Sequence, residues 1–295
     1  MAESLYINLH EDLTLFREAI NFTTARTGFN SRLIEKDYFC TVLLAYLAQH
    51  GGKQLVFKGG TCLAKIHAGF YRLSEDLDFT IPLPVDASRT MRQQAVIEIK
   101  KAVADVAAHV PAFTLAESLK GANNSTQYNG AVGYQSPTTG QHENILIEVS
   151  VREPLLLPPQ NALAKTLLLD PISNETALPS VAINCIAMVE AMAEKFRAAL
   201  SRRDVAIRDF YDLDHAATHL DLDPDDAHMV SMVRQKLAIP GNTSVDVSKE
   251  RFTALTRQLD ARLKAVLRDK EFREFDLDRA IRIVTAMAKR LEHVR

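Results

Sequence analysis

Residues 57–80 constrain this chain most. An apolar run, Leu55-Val56-Phe57, reads as a strand and enters a glycine pair followed by a hydroxyl, Gly59-Gly60-Thr61. A short helix over 61–69 leads to a second apolar strand that carries Asp76 and Asp78. Carboxylates at i and i+2 of a strand point to the same side. Like charges aimed into one small volume repel, so the pattern implies divalent cations, and a glycine turn with free backbone N–H groups suits phosphate. The segment reads as a metal and nucleotide site.

With 295 residues and 47% hydrophobic content, the chain can bury a core divided between two domains. A net charge of −2 gives no whole-protein positive field, so nucleic acid has to be held by local patches. An acidic stretch over 204–248 precedes a basic one over 249–295, an asymmetry that could orient a polyanion. Cys40, Cys62 and Cys185 are scattered in apolar contexts and offer neither a disulfide framework nor metal-ligand spacing. The N-terminus lacks a basic region followed by an apolar core, and no apolar run approaches the ~18 residues of a membrane span. A soluble protein of the reducing cytoplasm, with no membrane partner, is expected.

Helices are predicted over 11–26, 31–47 and 88–109. The stretch 120–143 is rich in Gly, Asn, Ser and Thr, and Asn129-Gly130 is its hairpin signal. A strand over 144–151 follows, with Glu148 as a lone carboxylate among aliphatics. Prolines 154, 158, 159, 171 and 179 mark a boundary, and helices are predicted beyond it over 184–201, 205–219, 225–236, 249–268 and 276–293. Leu255, Leu259, Leu263 and Val266, like Val284, Met287 and Leu291, recur at helical spacing and read as core. The fold class is α+β: a catalytic domain with a mixed sheet over 1–155, and a helical-bundle domain over 156–295 forming the other wall of a cleft.

A Gly-Gly-Thr turn after a strand, a fourteen-residue gap, an Asp-x-Asp strand and a later acidic strand give the layout of a polymerase-beta-like nucleotidyltransferase. The run Phe57-Lys58-Gly59-Gly60-Thr61 with Leu63 and Lys65, then Arg72-Leu73-Ser74-Glu75-Asp76-Leu77-Asp78-Phe79, resembles the signature of the AbiEii/AbiGii nucleotidyltransferase toxins, relatives of the mycobacterial MenT toxins. Ile34-Glu35-Lys36-Asp37, Ile147-Glu148, Glu194-Lys195-Phe196-Arg197-Ala198 and Arg208-Asp209-Phe210-Tyr211-Asp212-Leu213 extend the match across about 33–215. The resemblance implies nucleotide transfer from an NTP, inhibition of bacterial growth and a cognate antitoxin, often a winged-helix repressor. It also implies an RNA acceptor, with the tRNA 3′ end as the family's example.

The residues themselves suggest roles. Asp76 and Asp78 hold magnesium, with manganese as the alternative ion, and Glu148 completes the metal shell, acts as base or is solvated at a strand edge. Gly59, Gly60 and Thr61 cradle phosphates, although no P-loop is present. Lys58 and Lys65 flank the turn as phosphate contacts or exposed charges. Ser74 shares the face of Asp76 and Asp78 if the strand is regular from residue 74, and Arg72 supplies counter-charge.

Lys195 sits in a run of apolar and small residues and, with the family match, reads as a cation for the triphosphate. Asp209 is preferred to Asp212 as its acidic partner, with Asp204 as the cap of the next helix. Arg202, Arg203 and Arg208 grip an RNA backbone or form a solvated face. His215 and His219 lack the glutamate of a His-Glu-x-x-His zinc site, and Asp221, Asp223 and Asp225 open a failed EF-hand, because Asp226 stands where glycine is needed. Two rival functions remain open: a GTP- or ATP-binding regulator without transfer, and transfer to a protein hydroxyl.

Overall fold

A computed structural model describes residues 8–293. One compact unit ends at Ile186 and a second begins at Ala187. Among the described residues no helix is long and apolar enough to cross a membrane.

The first unit begins with α1 (Leu13–Thr27), whose orphan N–H groups are met by Asp12, its carboxylate accepting from the Thr14 and Leu15 backbones. Gly28 ends the helix in the left-handed region at φ 78°. Asn30 caps α2 (Ser31–His50) in the same way. Every residue of α2 from Leu33 to Leu44 is buried, so this is a central helix rather than a surface one. Phe39 stacks on Tyr134 with ring centroids 4.0 Å apart, and Phe16 and Tyr38 meet it edge-on.

Three consecutive charges lie inside that buried stretch, and each has its own partner. Glu35 accepts from the Thr138 hydroxyl, and Lys36 pairs with Glu143 at 3.4 Å and donates to the Asn144 carbonyl. Asp37 Oδ1 lies 2.5 Å from Lys65 Nζ, while its Oδ2 accepts from the Leu167 N–H at 2.8 Å and the Thr166 hydroxyl at 3.2 Å. Lys65 also donates to the Thr41 hydroxyl at 2.7 Å. A charge without partners here would carry its full desolvation cost.

Strand β1 (Val56–Lys58) runs directly into α3 (Gly59–Cys62) and a π-helical turn (Leu63–His67). The glycine pair thus opens a helix instead of forming an isolated turn. Strand β2 (Leu77–Thr80) follows, and the helix predicted over 88–109 is divided at Val96 into α4 (Arg89–Ala95) and α5 (Ile97–His109). Then come β3 (Phe113–Ala122), β4 (Gln127–Gln135), β5 (His142–Ser150), β6 (Gln160–Ala164) and β7 (Val181–Cys185). They form a mixed sheet of seven strands in the order β3-β4-β5-β2-β1-β7-β6, with β2/β5 and β1/β7 parallel and the other neighbours antiparallel.

Two expectations are corrected. Asn129-Gly130 is not the hairpin turn: both residues lie inside β4, and the chain reverses at Asn123, Asn124 and Ser125, all at positive φ. Gly130 faces the bulged part of β3, where a Cβ would come within 2.9 Å of the Glu117 carbonyl oxygen, so its lack of a side chain serves strand approach. The chain after residue 155 is also not wholly helical, because β6 and β7 pair with each other and add to the edge at β1. The sheet therefore continues past the boundary expected at 155/156.

The second unit contains α6 (Met188–Ser201), α7 (Ile207–His219), α8 (Ala227–Ala238), α9 (Lys249–Thr256), α10 (Asp269–Glu274) and α11 (Leu277–His293). The long helix predicted over 249–268 breaks after α9 into a π turn and a 3₁₀ turn, yet Leu255, Leu263 and Val266 are buried as their spacing requires. Lys236 of α8 is fully buried between Glu190 at 2.6 Å and Glu194 at 3.2 Å, neighbours one turn apart on α6. Arg251 satisfies the C-terminal carbonyls of α6, donating to Ala199 at 2.8 Å and Arg202 at 2.8 Å. Arg279 clamps Asp214 through two bonds of 2.6 and 2.8 Å, fastening α11 to α7.

Replacing Asp37 by Asn leaves the Lys65 ammonium buried without its counter-charge and is expected to lower unfolding free energy by about 3–5 kcal/mol. Urea denaturation measures this. A loss within the ~0.5 kcal/mol typical of surface changes would remove the pair from its structural role.

Candidate functional site

Sheet register builds the site. Asp78 on β2 is paired with Glu148 on the parallel strand β5, and with Lys58 on the antiparallel strand β1. Register partners project from the same face, and their neighbours Leu77, Phe79, Ile147 and Val149 are buried on the opposite one. Asp78 and Glu148 are half-buried on strands that sit about 4.8 Å apart. Two carboxylates so close repel across a low-dielectric surface, an arrangement that oxygen-seeking divalent cations relieve.

Asp76 lies just before β2, half-buried, and its carbonyl accepts the Thr61 hydroxyl at 2.5 Å. This bond fastens the approach to β2 onto α3. Because β2 begins only at Leu77, the strand alternation proposed to align Ser74 with Asp76 and Asp78 is absent, although all three are half-buried. The Thr61 hydroxyl proton is committed to the Asp76 carbonyl.

The glycine pair has a second physical role. Gly59 adopts φ +76°, and a Cβ on it would stand 2.0 Å from Asp78 Oδ2. A Cβ on Gly60 would stand 2.5 Å from Arg72 Nη2. The two residues therefore admit a carboxylate and a guanidinium directly against the backbone. Arg72 is 2% exposed and donates to the Leu73 carbonyl at 3.2 Å, so its counter-charge lies beneath the glycines.

Lys65, expected beside the phosphates, belongs to the interior. Its side chain is fully buried and its ammonium is bound by Asp37 and Thr41. Lys65 lies in the π turn that follows α3. Lys58 is half-buried and remains in the row with Asp78.

In the helical unit Lys195 meets both candidate acids, Asp209 at 2.9 Å and Asp212 at 2.8 Å. The choice between them dissolves: the two carboxylates share one ammonium. Arg202 reaches Asp209 at 3.5 Å. Asp204 does not cap α7, whose cap position is Ala206 with no side-chain bond. Arg202 and Arg203 are exposed and Arg208 is half-buried. The rings of His215 and His219 stack at 4.6 Å, and burial lowers the His215 pKa to about 4.

The row extends to two residues that the sequence did not assign to the site. Asn129 on β4 is the register partner of Glu148, and Lys120 on β3 is the partner of Asn129. The bulges between Leu115 and Lys120 shift the alternation of β3, so no periodic signal assigns Lys120 to this face. Lys120, Asn129, Glu148, Asp78 and Lys58 thus cross five strands in one line.

The family model described as the nucleotidyl transferase AbiEii toxin of a type IV toxin–antitoxin system matches residues 42–291. Among solved structures, MenT4, a nucleotidyltransferase toxin from Mycobacterium tuberculosis, is similar at 21% identity and a TM-score of 0.57, over 94% of this chain and 98% of that one. JHP933 from Helicobacter pylori is similar at 17% identity and a TM-score of 0.51, over 90% and 95% respectively. A putative nucleotidyltransferase from H. pylori has 17% identity and a TM-score of 0.52, over 90% and 99%. No match is found among curated proteins.

Two glycine substitutions separate backbone strain from close approach. Gly69 has φ +66° with nothing within 4 Å of an added Cβ, whereas Gly59 has φ +76° with Asp78 in the way. Gly69→Ala is expected to lower stability by roughly 1–2 kcal/mol through left-handed strain, and Gly59→Ala by distinctly more. Equal losses in urea denaturation would show that Asp78 does not press on Gly59.

Proposed function

The chain belongs to the AbiEii nucleotidyltransferase toxin family, and from that premise we propose that it transfers a nucleotide from an NTP to RNA, the tRNA 3′ end being the favoured acceptor. The observation that carries the proposal is the register pairing of Asp78 with Glu148 beside the α3 backbone. Carboxylate oxygens from Asp76, Asp78 and Glu148 are the hard ligands magnesium takes, and manganese suits the same set. Asp76, Asp78 and Glu148 would hold these ions, which would supply neutralisation of triphosphate charge and activation of the attacking hydroxyl.

The protein's part is placement. Backbone N–H groups at Gly59 and Gly60 receive phosphate oxygens, with Lys58 on the same row to attract them. Arg72, held under Gly60, keeps positive potential at the turn without reaching into solvent. Ser74 stands at the entrance to the acidic segment as a further polar contact. Lys195, held by both Asp209 and Asp212, is the cation we assign to the helical unit's part in transfer. The exposed guanidinium groups of Arg202 and Arg203 suit an RNA backbone. Growth inhibition then follows from blocked tRNA in the cytoplasm, and the cognate antitoxin implied by a type IV system is proposed to be a winged-helix repressor.

Incubation of the protein with labelled NTPs, magnesium and separated tRNA tests the proposal. Label is expected in tRNA, and Asp76→Asn is expected to reduce transfer at least a hundredfold, because one metal ligand supports several kcal/mol of charge stabilisation. Retained nucleotide with no product would establish a binder in place of a transferase. Label in a protein band would move the acceptor to a protein hydroxyl.

A further inference from the structure

Away from the polar row, three side chains of metal-ligand type converge. Cys62 lies in α3, His67 ends the π turn and Cys185 ends β7, and one ligand atom from each lies within 4.8 Å of the other two. This corrects the expectation that the cysteines are scattered without metal spacing. Cys185 is remote in sequence and arrives through the parallel pairing of β7 with β1, where it is the register partner of Phe57. Both cysteines are fully buried, and His67 is half-buried, so the cluster meets solvent on its histidine side.

The histidine is oriented. Its Nε2 lies 3.0 Å from the Ile186 carbonyl oxygen. A carbonyl only accepts, so Nε2 carries the hydrogen and Nδ1 is left with its lone pair. Metal-binding histidines are fixed in this manner, one ring nitrogen donating to a backbone carbonyl while the other ligates. The sulfurs share their protons unequally: burial, then the bond to Cys185, pushes Cys62 up, whereas the bond to Cys62, then His67, holds Cys185 down. The thiolate is the form in which a cysteine ligates a metal.

We propose that Cys62, His67 and Cys185 form a binding site for a thiophilic divalent cation, zinc, separate from the carboxylate row. Two sulfurs and a nitrogen select zinc over magnesium by softness. Tetrahedral zinc with Zn–S of about 2.3 Å separates two sulfurs by roughly 3.8 Å, so the cluster closes by no more than about 1 Å on binding. Two thiolates cancel the charge of the ion, which makes the filled site neutral and suited to burial. Binding releases the thiol protons to solvent and joins α3 and its π turn to β7, fixing from below the helix that carries Gly59 and Gly60.

The unaltered protein, purified under reducing conditions, provides the test. One equivalent of cobalt(II) is expected to give thiolate-to-cobalt charge-transfer absorption, to be displaced by equimolar zinc and to persist in a large excess of magnesium. Metal analysis of protein from zinc-supplied cells is expected to find one zinc per chain. His67→Gln and Cys185→Ser are expected to weaken cobalt binding at least about tenfold, and Cys40→Ser to leave it unchanged. Because a buried cysteine variant can fail to fold, the spectrum of the unaltered protein is decisive. Absence of the thiolate band, a Cys62–Cys185 disulfide in the isolated protein, or full affinity in folded Cys185→Ser would overturn the proposal.

Discussion

The buried pair of Asp37 and Lys65 is the contact on which the catalytic unit turns. Its 2.5 Å bond joins the central helix α2 to the π turn that follows the glycine pair. The second oxygen of Asp37 holds residues 166 and 167, and the Lys65 backbone carbonyl accepts from the Lys165 N–H at 3.1 Å. One carboxylate therefore ties together three segments remote in sequence. An apolar pair of similar volume could match its stability, because desolvation offsets most of the attraction between buried ions. What the ions add is uniqueness: a single position of the π turn satisfies both charges, and that position sets where the α3 backbone faces the acids.

Glu35 and Lys36 extend the same logic to the other side of the sheet. Their partners Thr138, Glu143 and Asn144 lie in the β4–β5 connection and at the start of β5. The strand that bears Glu148 is thereby anchored to α2 a few residues before the acid appears. Both halves of the acidic pair are positioned from one helix, β2 through α3 and β5 through the Glu143 contacts. Charged residues that resemble a surface cluster in sequence form the interior scaffold of the site.

The local elements of this site were legible and the long-range ones were not. Apolar runs at 55–57, 77–80 and 145–149 define β1, β2 and β5, and their isolated acids identify Asp78 and Glu148, because a carboxylate in an aliphatic strand needs a reason. Lys65 was misplaced since a regular helix and a π turn have the same composition and differ only in rotation. Asn129-Gly130 carries the chemistry of a turn, but the bulge of β3 required a missing side chain at Gly130. β6 and β7 were hidden among prolines, and Cys185 with them. Lys120 and Asn129 depend on register across a bulge, which no single strand encodes.

The glycine pair shows why a motif can be legible while its reason is not. Free N–H groups alone would explain one glycine at a positive φ, but not why the second must also lack a Cβ. Gly60 has no left-handed conformation to justify it; its requirement is the guanidinium of Arg72 packed against it. Gly59 likewise answers to Asp78 as much as to any ligand. The glycine turn, the Asp78 carboxylate and the buried Arg72 cation thus occupy one another's missing side-chain volume. A change at any of the three shifts the other two, so the motif behaves as one packed object whose electrostatics are fixed by its own packing.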